Sequence, residues 1–205
     1  MPLREEKKQQ TRRDILTAAR DLIEHHGYRD AKMRDIAAAA RLSYQTLYNY
    51  FPTKALILQA LLLEDIDQAA EQFKAVLSHF VAGEIKLLDA LEALNRIGVD
   101  LVASGDRELW HIVMTDLLAE QREATHIWHL INRSGHETLA TLTDQAQQRG
   151  ELSLRADPAV LADTLFVLSD HATMRYVMAP GTAKAAILED LQAQTLLLVA
   201  PYLKQ

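Results

Sequence analysis

Apolar residues recur at helical spacing along most of the chain, and no strand-like alternation lasts long enough to indicate a β-strand. The first periodic segment is predicted to begin at Thr11, which forms a T-x-x-D capping-box pattern with Asp14. Its apolar face continues through Ile15 and Leu22 until Gly27, a residue that commonly ends a helix. The pattern therefore predicts an all-α fold.

Two short helices are predicted to follow. Met33, Ile36 and Ala37 lie on one apolar stripe of the second helix. Ser43 is a good N-cap for the third helix, because its hydroxyl can accept a hydrogen bond from a free backbone N–H. Pro52 is expected to end that helix, since the residue before a proline resists the α conformation.

The rest of the chain is predicted to form longer helices. Asp157 followed by proline has the form of an N-cap with proline at the first helical position, and it predicts a helix that runs to about Met178. The predicted ranges after Pro52 are 53–79, 84–103, 106–121, 125–149, 158–178 and 182–203.

Charge is distributed unevenly along these segments. Residues 1–54 hold 11 Lys or Arg against 7 Asp or Glu, a net charge of +4, whereas residues 55–205 hold 11 against 21, a net charge of −10. Attraction to phosphate is felt over about one Debye length, ~10 Å at moderate salt, so the local balance is more informative than the total charge. We therefore expect nucleic acid to meet the first segment, and we predict two domains, at 1–54 and 55–205.

Composition also excludes several kinds of chemistry. The chain has no cysteine, which rules out disulfides, thiolate catalysis and Cys-based zinc sites. No run reaches the roughly 18 uncharged apolar residues that span a bilayer, so we expect a cytoplasmic protein without a membrane partner.

Catalytic and metal motifs are also missing from the sequence. GxSxG, P-loop and GxGxxG patterns are absent, and Asp170 with His171 has no nucleophile that spacing identifies. His126, His129 and His136 lie near one helical face, but their spacing does not match HExxH and no carboxylates cluster around them. We predict no catalytic residue, no metal and no cofactor.

The stretch RLSYQTLYNYF, residues 41–51, has two different faces when it is wound as a helix after Ser43. Leu47 and Phe51 are four residues apart and are expected to face inwards. Two phenols and two carboxamides lie on the other side, from Tyr44, Gln45, Tyr48 and Asn49. Carboxamides bond adenine edges in the major groove, and phenol hydroxyls bond phosphate oxygens. The alternative is that the tyrosines pack on a neighbouring helix and the carboxamides are only solvated.

Three stretches, ILTAARDLIEHHGY, MRDIAAAARLS and TLYNYFPTKALIL, contain in order a helix, a glycine-aromatic pair, I-A-x-x-A, a turn, Y-x-Y/H-F and x-K-x-x-L. In this order and spacing, residues 10–58 resemble the DNA-binding domain of the TetR, or tetracycline repressor-like, family of transcriptional regulators. The resemblance implies an N-terminal three-helix helix-turn-helix domain and a C-terminal helical domain. The positions that it places against double-stranded DNA are Lys32, Arg34, Tyr44, Gln45, Thr46, Tyr48, Asn49 and Lys54.

By the same resemblance, Tyr48 and Lys54 are expected on phosphate. Lys54 also lies in the first turn of the fourth helix, where free N–H groups and the helix dipole favour an anion. Arg41 replaces the usual turn glycine, which indicates either a turn without positive φ or a strained turn. Ala31 and Lys32 replace the usual hydroxyl residues, so a helix cap is lost and Lys32 is expected to supply the phosphate contact.

For residues 55–205 the resemblance implies a domain that binds a small-molecule effector and forms a homodimer through its last two helices. The candidate effector contacts are large or polar side chains on apolar helix faces, which also fit an ordinary core. They are Phe73, Trp110, His111, Met114, Trp128, Asn132, His136 and Phe166.

The last two predicted helices have more apolar surface than one core contact needs. In the helix from residue 158, Leu161 and Leu165 mark one face, while Val160 and Val167 mark another. We therefore predict a homodimer that a change such as Leu198→Asp converts to monomers. The alternative is complete burial of both faces within one subunit.

These observations favour a ligand-responsive DNA-binding regulator that acts as a dimer on a palindromic operator, most often a repressor in the family that it resembles. The alternative is an all-helical carrier or enzyme whose first three helices only assist dimer assembly. A carrier does not need a basic segment beside an exposed Tyr/Gln/Asn face, so the charge distribution favours the regulator.

Overall fold

A computed structural model of the protein describes residues 2–103, 107–112 and 123–204, and for residues 2, 3, 108, 112 and 123–132 it describes the backbone only. In these residues the fold is α-helical, as predicted. The helices are α1 (Pro2–Asp30), α2 (Met33–Ala39), α3 (Tyr44–Tyr50), α4 (Lys54–Val81), α5 (Leu87–Ala103), α6 (Arg107–Ile112), α7 (Glu123–Gln148), α8 (Pro158–Met178) and α9 (Lys184–Val199).

The chain divides into two compact units, Met1–Asp65 and Ile66–Gln205, and the division falls inside α4. The predicted boundary after residue 54 lies instead at the start of α4 and stays a prediction about function. Within the described residues, no helix is long and apolar enough to cross a membrane.

The start of α1 differs from the prediction. The helix begins at Pro2, and Thr11 lies inside it, where its hydroxyl donates to the Lys7 carbonyl at 2.9 Å and does not cap a helix end. The residues before Thr11 are mostly Glu, Lys, Arg and Gln, which favour helix without any apolar periodicity. The predicted interruption at Gly27 is present, because its φ of 77° and ψ of 157° are not helical.

Two predicted N-caps are confirmed. The Ser43 hydroxyl accepts a hydrogen bond from the Thr46 amide at 3.0 Å at the start of α3. Asp157 accepts from the Ala159 and Val160 amides at 3.0 and 3.3 Å at the start of α8. The N-cap of α2 is Lys32, whose side chain makes no capping bond, as expected from the loss of a hydroxyl residue there.

The turn between α2 and α3 adopts the strained one of the two predicted forms. Arg41 has a φ of 57°, in the left-handed region that favours glycine. Its amide bonds the Ala38 carbonyl at 3.0 Å, and the Leu42 amide bonds the Ala37 carbonyl at 2.8 Å. These two bonds form a Schellman motif with Arg41 at the C′ position, so the turn keeps the geometry of a glycine turn without the glycine.

Arg41→Gly is expected to stabilise the protein by about 1 kcal/mol, because a side chain in the left-handed region costs about 1–2 kcal/mol and glycine loses part of that gain through unfolded-state entropy. Arg41→Ala is the control, since alanine retains the strain. Urea unfolding would measure the difference as a shift in midpoint at constant slope. A loss of stability in the glycine variant would show that the Arg41 side chain makes contacts that outweigh the strain.

In the C-terminal unit the main core lies where α4, α5, α7 and α8 meet. Its largest fully buried side chains are Phe80, Leu87, Leu91 and Leu142. The Arg149 guanidinium carbon lies 4.2 Å from the centre of the Phe80 ring, and the guanidinium donates to the Phe80 carbonyl. Arg149 therefore packs against this core through both contacts. The cavity described below is lined by residues of the same helices and of α6, and it shares Leu94 and Leu139 with this core.

Candidate nucleic-acid interface and effector cavity

The helix α3 has the two faces that its sequence predicts. Leu47 is fully buried and Phe51 is 5% exposed, whereas Tyr44 and Tyr48 are 48% and 46% exposed. The tyrosines therefore do not pack away on a neighbouring helix of the N-terminal unit. The phenol side chains of this short helix are thus exposed to solvent, while Leu47 and Phe51 on its opposite side are buried.

Gln45 and Asn49 are exposed on the same helix and hydrogen-bond to each other. The Gln45 amide nitrogen donates to the Asn49 side-chain oxygen at 3.2 Å. This bond leaves the second amide hydrogen and the oxygen of Gln45 available, together with the amide group of Asn49. The two carboxamides thus form one pre-arranged donor and acceptor surface, of the kind that reads base edges.

The remaining predicted DNA contacts on α2 and α3 lie at helix starts. Lys32 and Arg34 are exposed at the beginning of α2. The Thr46 hydroxyl lies 2.7 Å from the Ser43 hydroxyl and is half-buried, so it completes the α3 cap. A second hydrogen bond to Thr46 from outside requires its remaining lone pair or hydrogen.

Lys54 occupies a different environment from the exposed basic residues. Its ammonium donates to the carbonyls of Tyr28, Arg29 and Ala31 at 2.5, 3.2 and 3.0 Å, and it lies 4.3 Å from the centre of the Tyr28 ring. Burial lowers the pKa of Lys54, and the charge of Asp30 acts in the opposite direction. All three ammonium hydrogens are thus matched by backbone carbonyls, which ties the segment after Gly27 to the start of α4.

The C-terminal unit contains a mostly apolar cavity with walls from α4, α5, α6, α7 and α8. Its empty space, including the part open to solvent, is about 830 Å³. Each wall follows helical spacing: α4 contributes Ile66, Ala69 and Phe73, and α8 contributes Phe166 and Asp170. A cavity of this kind is a common form of small-molecule site.

The predicted effector residues separate into three groups. Phe73, Trp110 and Phe166 line the cavity. His111 is exposed and does not line it, and His136 contacts Asp163 at 2.6 Å and the edge of the Phe166 ring at 5.7 Å instead. Met114 lies outside the described residues, and so do the side chains of Trp128 and Asn132.

Sequence reasoning missed the one charged side chain in the described cavity lining, Asp170. Burial raises the pKa of its carboxyl group, and the charge of His171 acts in the opposite direction. Asp170 follows Phe166 by four residues, so the two side chains share a helix face. Because Phe166 was a predicted ligand contact, this spacing could have identified Asp170 as a cavity residue. Small residues were also missed, including Gly98 and Gly135, whose lack of a side chain leaves room beside Ser169 and Phe166.

Three N-terminal helices are joined by short turns, and the third has an exposed polar face. A helical unit with a cavity follows them. This is the arrangement of a helix-turn-helix DNA-binding protein with a separate helical C-terminal domain. Residues 15–61 match the family model of bacterial regulatory proteins of the tetR family. The N-terminal segment therefore matches the DNA-binding domain of that family, and the match supports a TetR-family transcriptional regulator.

The chain is also similar to a regulator in sequence and to solved structures in fold. The HTH-type transcriptional regulator UidR of Escherichia coli strain K12 is 28% identical over 167 residues, which cover 78% of this chain and 79% of that protein. A TetR-family regulator from Mesorhizobium loti MAFF303099 has the same fold with a TM-score of 0.71 at 20% identity, over 96% of this chain and 98% of that one. A regulator from Saccharomonospora viridis gives a TM-score of 0.70 at 22% identity, over 96% and 100%.

Proposed function

We propose that the protein is a homodimeric repressor that binds a palindromic operator through α3 and leaves it when a small molecule occupies the cavity of the C-terminal unit. The observation that carries the proposal is the exposed α3 face, where two tyrosines and a bonded Gln45–Asn49 pair lie on a helix anchored by Leu47. Exposed tyrosines and carboxamides on a helix that follows a short turn can contact DNA in the major groove. A carrier protein has no need for such an exposed face.

The proposed contacts differ in their tasks. Gln45 and Asn49 read base edges, whereas Tyr44, Tyr48, Lys32 and Arg34 bond phosphate and fix the register. Thr46 supports the helix cap and adds one bond at the α3 start. Lys54 acts mainly by positioning the segment at 28–31, because its ammonium donates to three carbonyls there.

The effector part of the proposal is supported by the cavity and by structural relatives with bound small molecules. FadR from Thermus thermophilus, with a TM-score of 0.64 at 22% identity, was determined with lauroyl-CoA. The regulator from Saccharomonospora viridis was determined with choline. These ligands differ widely, so they support a ligand site in this fold without indicating which ligand this chain binds. The ligand class of this chain must be inferred from the residues that line its own cavity.

Binding to the DNA upstream of the protein's own reading frame tests the function directly, since regulators of this type commonly act on neighbouring operons. We expect saturable binding in a gel shift, with a footprint whose two halves are about one helical turn, ~34 Å, apart. A base-shuffled fragment of the same length is the control. Equal affinity for both fragments would contradict sequence-specific regulation and favour a carrier or an enzyme.

Apolar side chains on the surface of α8 and α9 support the dimer. Val160 and Val167 are 61% and 62% exposed, and Leu197 is 78% exposed. Val160 and Val167 are seven residues apart and lie on one face of α8, while Leu161 and Leu165 on the other face are buried. An apolar face left in water by one subunit is expected to meet its own copy in an isologous interface.

The site of the monomerising substitution must be corrected from the sequence prediction. Leu198 is half-buried and packs against the core of its own unit, so Leu198→Asp would damage the subunit itself. Leu197→Asp places the charge on the exposed face instead. We expect it to convert the dimer to monomers and to abolish tight operator binding, because each subunit reads one half-site.

Sedimentation velocity at micromolar concentration, followed by the gel shift, measures both effects of Leu197→Asp. Leu154→Asp is the matched control, since Leu154 is 81% exposed and lies outside α8 and α9. A wild-type monomer, or a Leu197→Asp variant that stays dimeric, would contradict an interface through this face.

A further inference from the structure

Charge is uneven among the described residues of the cavity lining. Among the described residues that line it, Asp170 is charged and no Lys, Arg or His is present. The Asp170 carboxylate makes no hydrogen bond or ion pair with any residue that the structure describes; the hydrogen bond at Asp170 uses its backbone carbonyl, which accepts from the Thr173 hydroxyl at 2.8 Å. Asp170 is half-buried among mostly apolar side chains, and burial of a carboxylate that makes no ion pair is costly unless a counter-charge arrives.

Other polar groups of the cavity wall do not serve this carboxylate. The Asn95 amide donates to the Thr195 hydroxyl at 3.0 Å, and the Thr138 hydroxyl donates to the Ser134 carbonyl at 2.8 Å. With the Thr173 hydroxyl also occupied, three donors of the lining are bonded within the protein. These three donors are therefore bonded to groups other than the Asp170 carboxylate, which lines the cavity.

Aromatic rings line the same space. Phe73 and Phe166 approach one point, since both rings come within 4.0 Å of the place where a Cβ on Gly135 would lie. Trp110 is 2% exposed and adds an indole to the lining. Aromatic faces attract cations, most strongly in desolvated sites, and they exclude water from an apolar ligand body. The Asp170 carboxylate and the aromatic rings therefore both favour a ligand that has a positive charge and an apolar body.

We propose that the cavity binds a lipophilic organic cation, with its positive group beside Asp170 and its apolar body against Phe73, Phe166 and Trp110. The inference rests on the proposed function, because it names the ligand class of the same site. The net charge of −10 for residues 55–205 acts in the same direction, since an acidic surface raises the local concentration of cations.

A pair of isosteric probes tests the charge requirement. Benzyltrimethylammonium and neopentylbenzene have the same shape and differ by a nitrogen cation in place of a carbon. We expect equilibrium dialysis of the full-length protein to show the ammonium bound at least about tenfold more tightly than the neutral probe. The ammonium carries no N–H group, so this preference reports charge and not hydrogen bonding.

Asp170→Asn keeps the size of the side chain and removes its charge. We expect the variant to lose the preference for the ammonium, with binding of neopentylbenzene unchanged. Asp163→Asn is the matched control on the same helix, because Asp163 is exposed, contacts His136 and does not line the cavity. Circular dichroism of each variant verifies that the helical fold is retained.

The outcomes separate this inference from the proposed function. Equal binding of both probes, no binding of the ammonium at millimolar concentration, or unchanged ammonium binding by Asp170→Asn would each overturn the cationic ligand class. A folded Asp163→Asn variant that loses the preference would overturn it too. If the ammonium binds through Asp170 but leaves operator affinity unchanged, the ligand class is supported and the effector-release part of the proposed function fails.

Discussion

Gln45→Ala is expected to weaken operator binding by about 1–3 kcal/mol per half-site while binding to random DNA changes little. In a dimer both half-sites are affected, so the total is about 2–6 kcal/mol. The reason is that base-edge contacts carry sequence information, whereas phosphate contacts do not. Titration of operator and random DNA with the wild type and the variant measures the effect, together with base preference at the contacted position.

The Gln45–Asn49 hydrogen bond means that a loss of affinity in Gln45→Ala cannot be assigned to Gln45 alone. Gln45→Ala also releases Asn49, because the two carboxamides are bonded at 3.2 Å. We therefore expect Gln45→Ala and Asn49→Ala to be non-additive, with the double variant losing less than the sum of the two single losses. Gln68→Ala, an exposed glutamine of α4, controls for the loss of a carboxamide elsewhere. Equal losses on operator and random DNA for all three α3 variants would show that this pair does not read sequence.

Lys54→Ala is expected to destabilise the protein by about 2 kcal/mol, because three charge-assisted hydrogen bonds to carbonyls are lost. The segment at 28–31 then loses its tie to the start of α4. Urea unfolding measures the stability, and amide hydrogen exchange at residues 28–33 locates the loss. We expect DNA affinity to fall as a consequence, with the salt dependence of binding unchanged.

Lys32→Ala provides the opposite control. Lys32 is exposed and its side chain makes no capping bond, so we expect its removal to leave stability unchanged. The salt dependence of DNA binding should become shallower by about one released counterion per subunit. If Lys54→Ala instead leaves stability unchanged and makes the salt dependence shallower, Lys54 contacts phosphate and gives up its carbonyl bonds in the complex.

Within the described residues, the helices and most of their ends were predictable from the sequence, whereas the end of the helix predicted at 106–121 lies outside those residues. Ser43 and Asp157 cap helices in the structure as predicted, because a cap is a bond between residues two or three apart. The two faces of α3 were also predictable, since Leu47 and Phe51 must share a side of any helix that contains both. The start of α1 was not predicted, because a polar helix end has no apolar periodicity to reveal it.

For the turn at Arg41, the sequence left two geometries open. A residue other than glycine is compatible with either a relaxed or a strained turn, and local propensity favours the relaxed one. In the structure the Schellman bonds of Ala37 and Ala38 hold Arg41 at a φ of 57°. Ile36 of α2 and Leu47 of α3 are both fully buried, and burial of these apolar faces offsets a local cost of about 1–2 kcal/mol at Arg41.

The partners of Lys54 and the surroundings of Asp170 could not be predicted from the sequence. The sequence puts Lys54 at a helix start, which favours an anion, but its acceptors lie 23 to 26 residues earlier in the chain. Asp170 likewise shares a face with Phe166, yet the absence of a basic side chain from the described cavity lining depends on residues of α4, α5 and α7. Periodicity fixes which side chains share a face of one helix. Which faces meet depends on the packing of helices distant in sequence, and that packing determines whether a charge is paired, solvated or left facing a cavity.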